Sequence, residues 1–241
     1  MHNQTTVNYA LVTGASTGIG LSLTKLLLKT HHVIAVSRTL GELADIEARN
    51  LSHWPYDLTS NSDRVKLIVQ ANRTLPYLNL LVNNAGVQVE LSLENHNWSR
   101  YQQEIELNLK APIHLSLELN DLLVKARTAK IINMGSVLGF SHRKASPIYS
   151  VTKAGVHRFS QILNADNKQV GVLEFIPPMT ATNMTQARGD QGLMSSDALA
   201  EFMVSQLHET GVIYVGKVRL AMLLHRFMPK LLSRLMNKQD Q

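Results

Sequence analysis

Two side chains in the second half of the chain have the types and spacing to move a proton. Tyr149 and Lys153 lie four residues apart in Tyr149-Ser150-Val151-Thr152-Lys153, and on a helix that spacing puts them on one face. A phenol titrates near 10 and is a poor acid or base at neutral pH. An ammonium beside it favours the phenolate and brings proton transfer toward its efficient range. Ser136 precedes Tyr149 by thirteen residues, and a hydroxyl there can hold a substrate oxygen beside the phenol. Taken singly, the Tyr–Lys pair equally suits an exposed helix face, and Ser136 a loop or a cap. Asn108, in Glu106-Leu107-Asn108-Leu109, is an amide in an apolar neighbourhood, where burial demands partners.

A proton-transfer pair needs something to act with, and the first strand supplies a candidate. Tyr9 to Thr13 is an apolar, β-prone run, followed by Gly14-Ala15-Ser16-Thr17-Gly18-Ile19-Gly20 and then a helical pattern. Strand, glycine turn and helix in that order let a pyrophosphate approach the backbone and face the N–H groups of the helix start. The spacing is Gly-x-x-x-Gly-x-Gly rather than the commoner Gly-x-Gly-x-x-Gly. At the end of the second apolar run stand Ser37 and Arg38, with no Asp or Glu between His31 and Gly41. A free ribose 2′-hydroxyl is met there by an acid and a 2′-phosphate by Arg, so NADP(H) is expected over NAD(H). Asp57-Leu58 ends the third run, either meeting the adenine amino group or capping the next helix. Asn83-Asn84-Ala85-Gly86 ends the fourth and suits a cofactor wall, though a plain turn uses the same residues.

The elements that must carry these residues alternate. Strands are expected at 7–13, 33–37, 53–57, 78–83, 130–134, 170–176 and 211–216. Helices are expected at 18–30, 40–49, 60–74, 98–123, 147–164 and 196–208. Unbroken apolar strands between helices imply a parallel sheet covered on both faces. The fold class is α/β, a Rossmann-like doubly wound sheet of about seven strands, and one domain is expected over 1–241. In such sheets the ligand lies outside the carboxyl ends of the strands, where the residues above fall.

Composition narrows the classes. The net charge is +6 at pI about 9.6, with aromatics at only 5%. No basic block is interleaved with aromatics, so a polyanionic cofactor accounts for the charge better than nucleic acid. The absence of cysteine removes disulfides and thiolate chemistry and suits a cytoplasmic protein. The polar start, Met1-His2-Asn3-Gln4-Thr5-Thr6, lacks a signal-peptide pattern. No metal is expected.

Thr13-Gly14-Ala15-Ser16-Thr17-Gly18-Ile19-Gly20, Asn83-Asn84-Ala85-Gly86 and Tyr149-Ser150-Val151-Thr152-Lys153 together resemble the signature motifs of the short-chain dehydrogenase/reductase family. The resemblance runs from about Tyr9 to Lys217 with the motifs in the family's order. It implies hydride transfer between NADP(H) and a carbonyl or alcohol, with Asn108, Ser136, Tyr149 and Lys153 as the catalytic tetrad. Lys153 is then also expected to hold the nicotinamide ribose hydroxyls, and Asn108 a water that relays protons to it. The family commonly has a second serine where this chain has Gly135, and Pro-Gly where it has Pro177-Pro178. Pro177, Thr180 and Thr182 are the matching nicotinamide-loop positions, and Ile176 precedes them. Pro178 stiffens this loop by fixing φ and removing an N–H. The resemblance also implies a homodimer or homotetramer. A cofactor-binding sensor without turnover is the competing class, disfavoured by the complete tetrad.

Substrate walls are expected from Val87–Leu93, Val137–Pro147 and Asn183–Ser196, the last with Gly189 and Gly192 as hinges of a lid. His142, Arg143 and Lys144 would draw an acidic substrate or simply be solvated. The tail 219–241 places Leu220, Leu223, Leu224, Phe227, Leu231, Leu232 and Leu235 among basic residues. Such a helix packs on the body, on another subunit, or on a membrane surface.

Overall fold

A computed structural model describes residues 7–181, 193–228 and 230–231. Its strands are β1 (Asn8–Thr13), β2 (His31–Ser37), β3 (Leu51–Pro55), β4 (Leu80–Asn83), β5 (Ala129–Met134) and β6 (Val170–Ile176), then β7 (Thr180–Ala181), β8 (Met194–Ser195) and β9 (Gly211–Tyr214). Seven of them form one parallel sheet, in the order β3-β2-β1-β4-β5-β6-β9. The pair β7–β8 forms a separate two-residue ladder. The doubly wound α/β class read from the sequence is the one observed.

The sheet is apolar on both faces because both are covered. Ala10 and Val12 of β1 join a core with Leu21, Leu23 and Leu27 of α1 (Gly18–Leu27). Leu199, Ala200 and Met203 of α7 (Ser196–Ser205) complete it. Leu11, between them, points the other way into a second core, with Leu67 and Ile68 of α2 (Asn61–Thr74). Leu115 of α4 (Ala111–Glu118) and Leu122 of α5 (Asn120–Val124) also join it. β1 has β2 on one side and β4 on the other, so the chain leaves it in both directions and opens a crevice beyond Thr13.

Three expectations are corrected. The helix expected at 40–49 is only a 3₁₀ turn, Gly41–Asp45, because Leu43 is its one buried residue and no apolar stripe continues. The helix expected at 18–30 ends at Leu27. The long helix expected at 98–123 is broken into α3 (Trp98–Ile105), a π-helical turn (Glu106–Lys110), α4 and α5. Pro112 has no N–H to give the Asn108 carbonyl four residues back, and the Ala111 N–H reaches Glu106 instead. The helix carrying Tyr149, α6, runs Pro147–Asp166, and α8 runs Val218–Phe227. Among the described residues no helix is long and apolar enough to cross a membrane.

Candidate active site

A cleft of about 550 Å³ opens along the carboxyl ends of the strands. At its floor, Gly14 and Gly18 adopt φ of +64° and +54°, values that a side chain would strain. Gly20 does not line the cleft: a Cβ there would collide with the Gly14 carbonyl oxygen, so it lets α1 close onto the turn. Thr13 and Asn84 stitch the turn to the end of β4. The Thr13 hydroxyl donates to the Val82 carbonyl at 3.1 Å and accepts from the Asn84 and Ala85 N–H groups, both at 3.0 Å. The Asn84 amide donates to the Thr13 and Gly14 carbonyls at 2.9 and 3.2 Å. Its side chain therefore shapes the turn.

Gly14, Ser16, Thr17, Gly18 and Ile19 line the cleft, as do Ser37, Arg38, Asp57, Leu58, Asn84, Ala85, Gly86, Pro177 and Thr180. Thr182 lies outside the described residues, with most of the segment expected as a lid. The Ser37 hydroxyl donates to the Thr39 carbonyl at 2.7 Å and meets His53 Nε2 at 3.0 Å. Asp57 does not cap α2. Its Oδ1 accepts from the Thr59 N–H and hydroxyl at 2.9 and 2.8 Å, and Ser60 is the cap.

At the inner end stand Ser136, Tyr149 and Lys153. Tyr149 and Lys153 are 9% and 6% exposed, one turn apart on α6. Lys153 Nζ donates to the Met134 carbonyl at 2.7 Å and lies 5.5 Å from the Tyr149 ring centroid. Ser136 Oγ accepts from the Leu138 N–H at 3.2 Å, capping a 3₁₀ turn (Val137–Gly139), and lies close enough to the phenol to draw its pKa down. It thus serves both as a cap and as a partner of Tyr149. Asn108 is set behind the cleft. Its side chain grips Val87, accepting from the N–H at 2.9 Å and donating to the carbonyl at 2.7 Å.

Electrostatics overturn one expectation. Burial pushes the Tyr149 phenol up to about 12, against the pull of the Ser136 hydroxyl and with a further push from Glu104. Burial also pulls Lys153 down to about 8, against the raising charges of Glu174 and Glu104. The spacing predicts a phenol lowered by Lys153. Loss of water dominates instead, and the ammonium is turned to the Met134 carbonyl.

Two buried carboxylates belong to no sequence motif, Glu104 and Glu174. Glu104 of α3 is pushed up to about 7 by burial, against an N–H from Val89 and the charges of Lys153 and Arg100. Glu174 of β6 faces α6. A single charged residue inside the apolar run Val170–Ile176 was the available signal for Glu174; Glu104 gave none. Gln103, Leu107, Tyr56 and Thr59 also line the cleft without a motif to mark them. Of the expected walls, Val87, Gln88, Val137 and Leu138 reach it. Arg143 pairs with Glu90 at 3.0 Å and so ties the two walls together.

A model of the short chain dehydrogenase family matches residues 8–192. An uncharacterized oxidoreductase, DltE, of Bacillus subtilis is 36% identical over 216 residues, covering 85% of this chain and 86% of the relative. The chain belongs to the short-chain dehydrogenase/reductase family and is an oxidoreductase of the NAD(P)-binding Rossmann class. Among solved structures, a short-chain dehydrogenase from Sphingobium yanoikuyae in complex with NADPH superposes with TM-score 0.80 at 24% identity. It covers 93% of this chain and 95% of that one. A 4-hydroxyisoleucine dehydrogenase complexed with NADH gives 0.78 at 20%, covering 86% and 96%. The fold thus accompanies either coenzyme, and the preference of this chain must be read from its own residues.

Proposed function

We propose that the protein is an NADP(H)-dependent oxidoreductase that interconverts a carbonyl and an alcohol, with Tyr149 as general acid and base. The observation that carries this reading is one continuous cleft, with Ser37 and Arg38 near one end and Ser136, Tyr149 and Lys153 at the other. The glycine turn between them, kept free of side chains at Gly14 and Gly18, fits the pyrophosphate of a dinucleotide. Arg38 would pair with the 2′-phosphate and Lys153 would hold the nicotinamide ribose, while the bound coenzyme supplies the hydride.

The chain's own groups handle the oxygen and the proton. Ser136 holds the substrate oxygen beside the phenol. Tyr149, held up to about 12, keeps its proton at neutral pH and gives it to that oxygen in the reducing direction; in oxidation it takes the proton back. Asn108 fixes Val87 on the rim of the substrate space. By this reading the protein is a single-domain, cytoplasmic homodimer or homotetramer, and its substrate is a small molecule.

The test follows NADPH oxidation at 340 nm across a carbonyl panel. Tyr149→Phe is expected to lower kcat by about 10²–10⁴-fold while still binding NADPH. Equal rates for both proteins on every substrate, with tight NADPH binding, would instead make the protein a coenzyme sensor.

A further inference from the structure

Along one face of α6, Tyr149, Lys153, His157 and Gln161 follow one another every four positions. The third of these meets a carboxylate. Glu174 is 1% exposed, and its Oε2 lies 2.7 Å from His157 Nδ1. Its Oε1 has no hydrogen-bond partner and presses toward the backbone of Gly135, where a Cβ would lie 2.5 Å from it. Lys153 comes to the same stretch through its bond to the Met134 carbonyl. The ammonium and the unpartnered carboxylate oxygen therefore both abut the Met134–Gly135 peptide.

A carboxylate buried this deeply needs a balancing cation. His157 Nε2 lies 3.1 Å from the side-chain nitrogen of Gln161. An amide nitrogen only donates, so with the amide assigned this way Nε2 is the acceptor. Nδ1 then donates to Glu174 Oε2, which leaves Oε1 without a donor. Lys153 is the ammonium on the same stretch of backbone that can balance the charge. The other ionisable groups around the pair are Tyr149 on α6 itself, Glu104 from α3 toward Lys153, and Tyr214 from β9 toward Glu174.

We propose that Glu174, oriented by His157 and accommodated by Gly135, is the countercharge that keeps Lys153 an ammonium during the reaction. It is a positioning residue, acting through Lys153 and not on the substrate, and the idea rests on the reading of Tyr149 and Lys153 given above. The opposing shifts agree with it: burial draws Lys153 down to about 8, and Glu174 is the larger of the two charges holding it up.

Glu174→Gln keeps the shape and removes the charge. NADPH affinity is measured by coenzyme fluorescence from pH 6 to 10, alongside kcat/KM for any carbonyl the wild type reduces. Both should fall on the alkaline side as Lys153 loses its proton. In the variant that fall should begin about one pH unit lower, a tenfold loss above both midpoints. His157→Gln, which retains the carboxylate, should move the fall in the same direction by less. A folded Glu174→Gln with the wild-type alkaline fall overturns the proposal. If that variant does not fold, an unmoved alkaline fall in His157→Gln overturns it instead. A wild type that binds NADPH but reduces no carbonyl defeats the functional reading, whereas the binding curve still decides the role of Glu174.

Discussion

Arg38 and Glu104 are the two single charges through which coenzyme choice and pH response can be tested. If Arg38 meets the 2′-phosphate, Arg38→Asp loses a charged hydrogen bond of about 1.5–3 kcal/mol. The NADPH/NADH affinity ratio should then fall roughly ten- to a hundredfold, and an unchanged ratio in paired titrations would rule Arg38 out. Glu104 belongs to stability. Its folded pKa of about 7 lies above the ordinary 4.5, so folding is favoured below 4.5 and that contribution is lost as the pH rises to 7. Glu104→Gln should therefore melt higher than wild type at pH 8.5 and nearly level with it at pH 5. Equal differences at the two pH values would contradict the buried-charge account.

At the scale of elements, the junction between the glycine turn and α1 is the tightest part of the site. Gly20→Ala would drive a methyl into the Gly14 carbonyl. It should cost about 1–3 kcal/mol of stability and more in NADPH affinity, checked by denaturant unfolding and coenzyme titration. The period and order of the strands were legible because each is an apolar run bounded by polar residues, and their carboxyl ends gathered the motif residues. What escaped notice was set by contacts across the fold. Nothing local distinguishes Gly20, which packs, from Gly14, which faces the cleft. Pro112 was visible, but its effect on Asn108 four residues back needed the helix to be laid out. The direction of the Tyr149 shift escaped because spacing reports a neighbouring charge and says nothing of how much water is lost.

At the scale of the whole molecule, the two halves of the cleft are supported differently. The coenzyme half is fastened to the sheet through Thr13, Asn84 and β4. The wall after Ser136 rests partly on α8, where the Phe140 ring sits between His157, tilted with centroids 4.3 Å apart, and His225, edge-on at 5.9 Å. Leu220, Leu223 and Phe227 of α8 point outward, 64%, 56% and 74% exposed, so this helix packs on the body through only part of its apolar surface. Leu232 and Leu235 lie outside the described residues. A chain ending at Lys217 should keep its NADPH affinity and lose roughly ten- to a hundredfold in kcat/KM through misplacement of Ser136. Equal losses in binding and turnover would show α8 to be a general support.

Gly135 and Glu174 share one volume. A side chain at 135 would meet the Glu174 carboxylate and the end of Ile176 at once. Both contacts are the far ends of side chains, so the pocket could take the new group only by turning one of them aside. A residue added at 135 would therefore be felt first as a displaced carboxylate, before any strain reached the backbone.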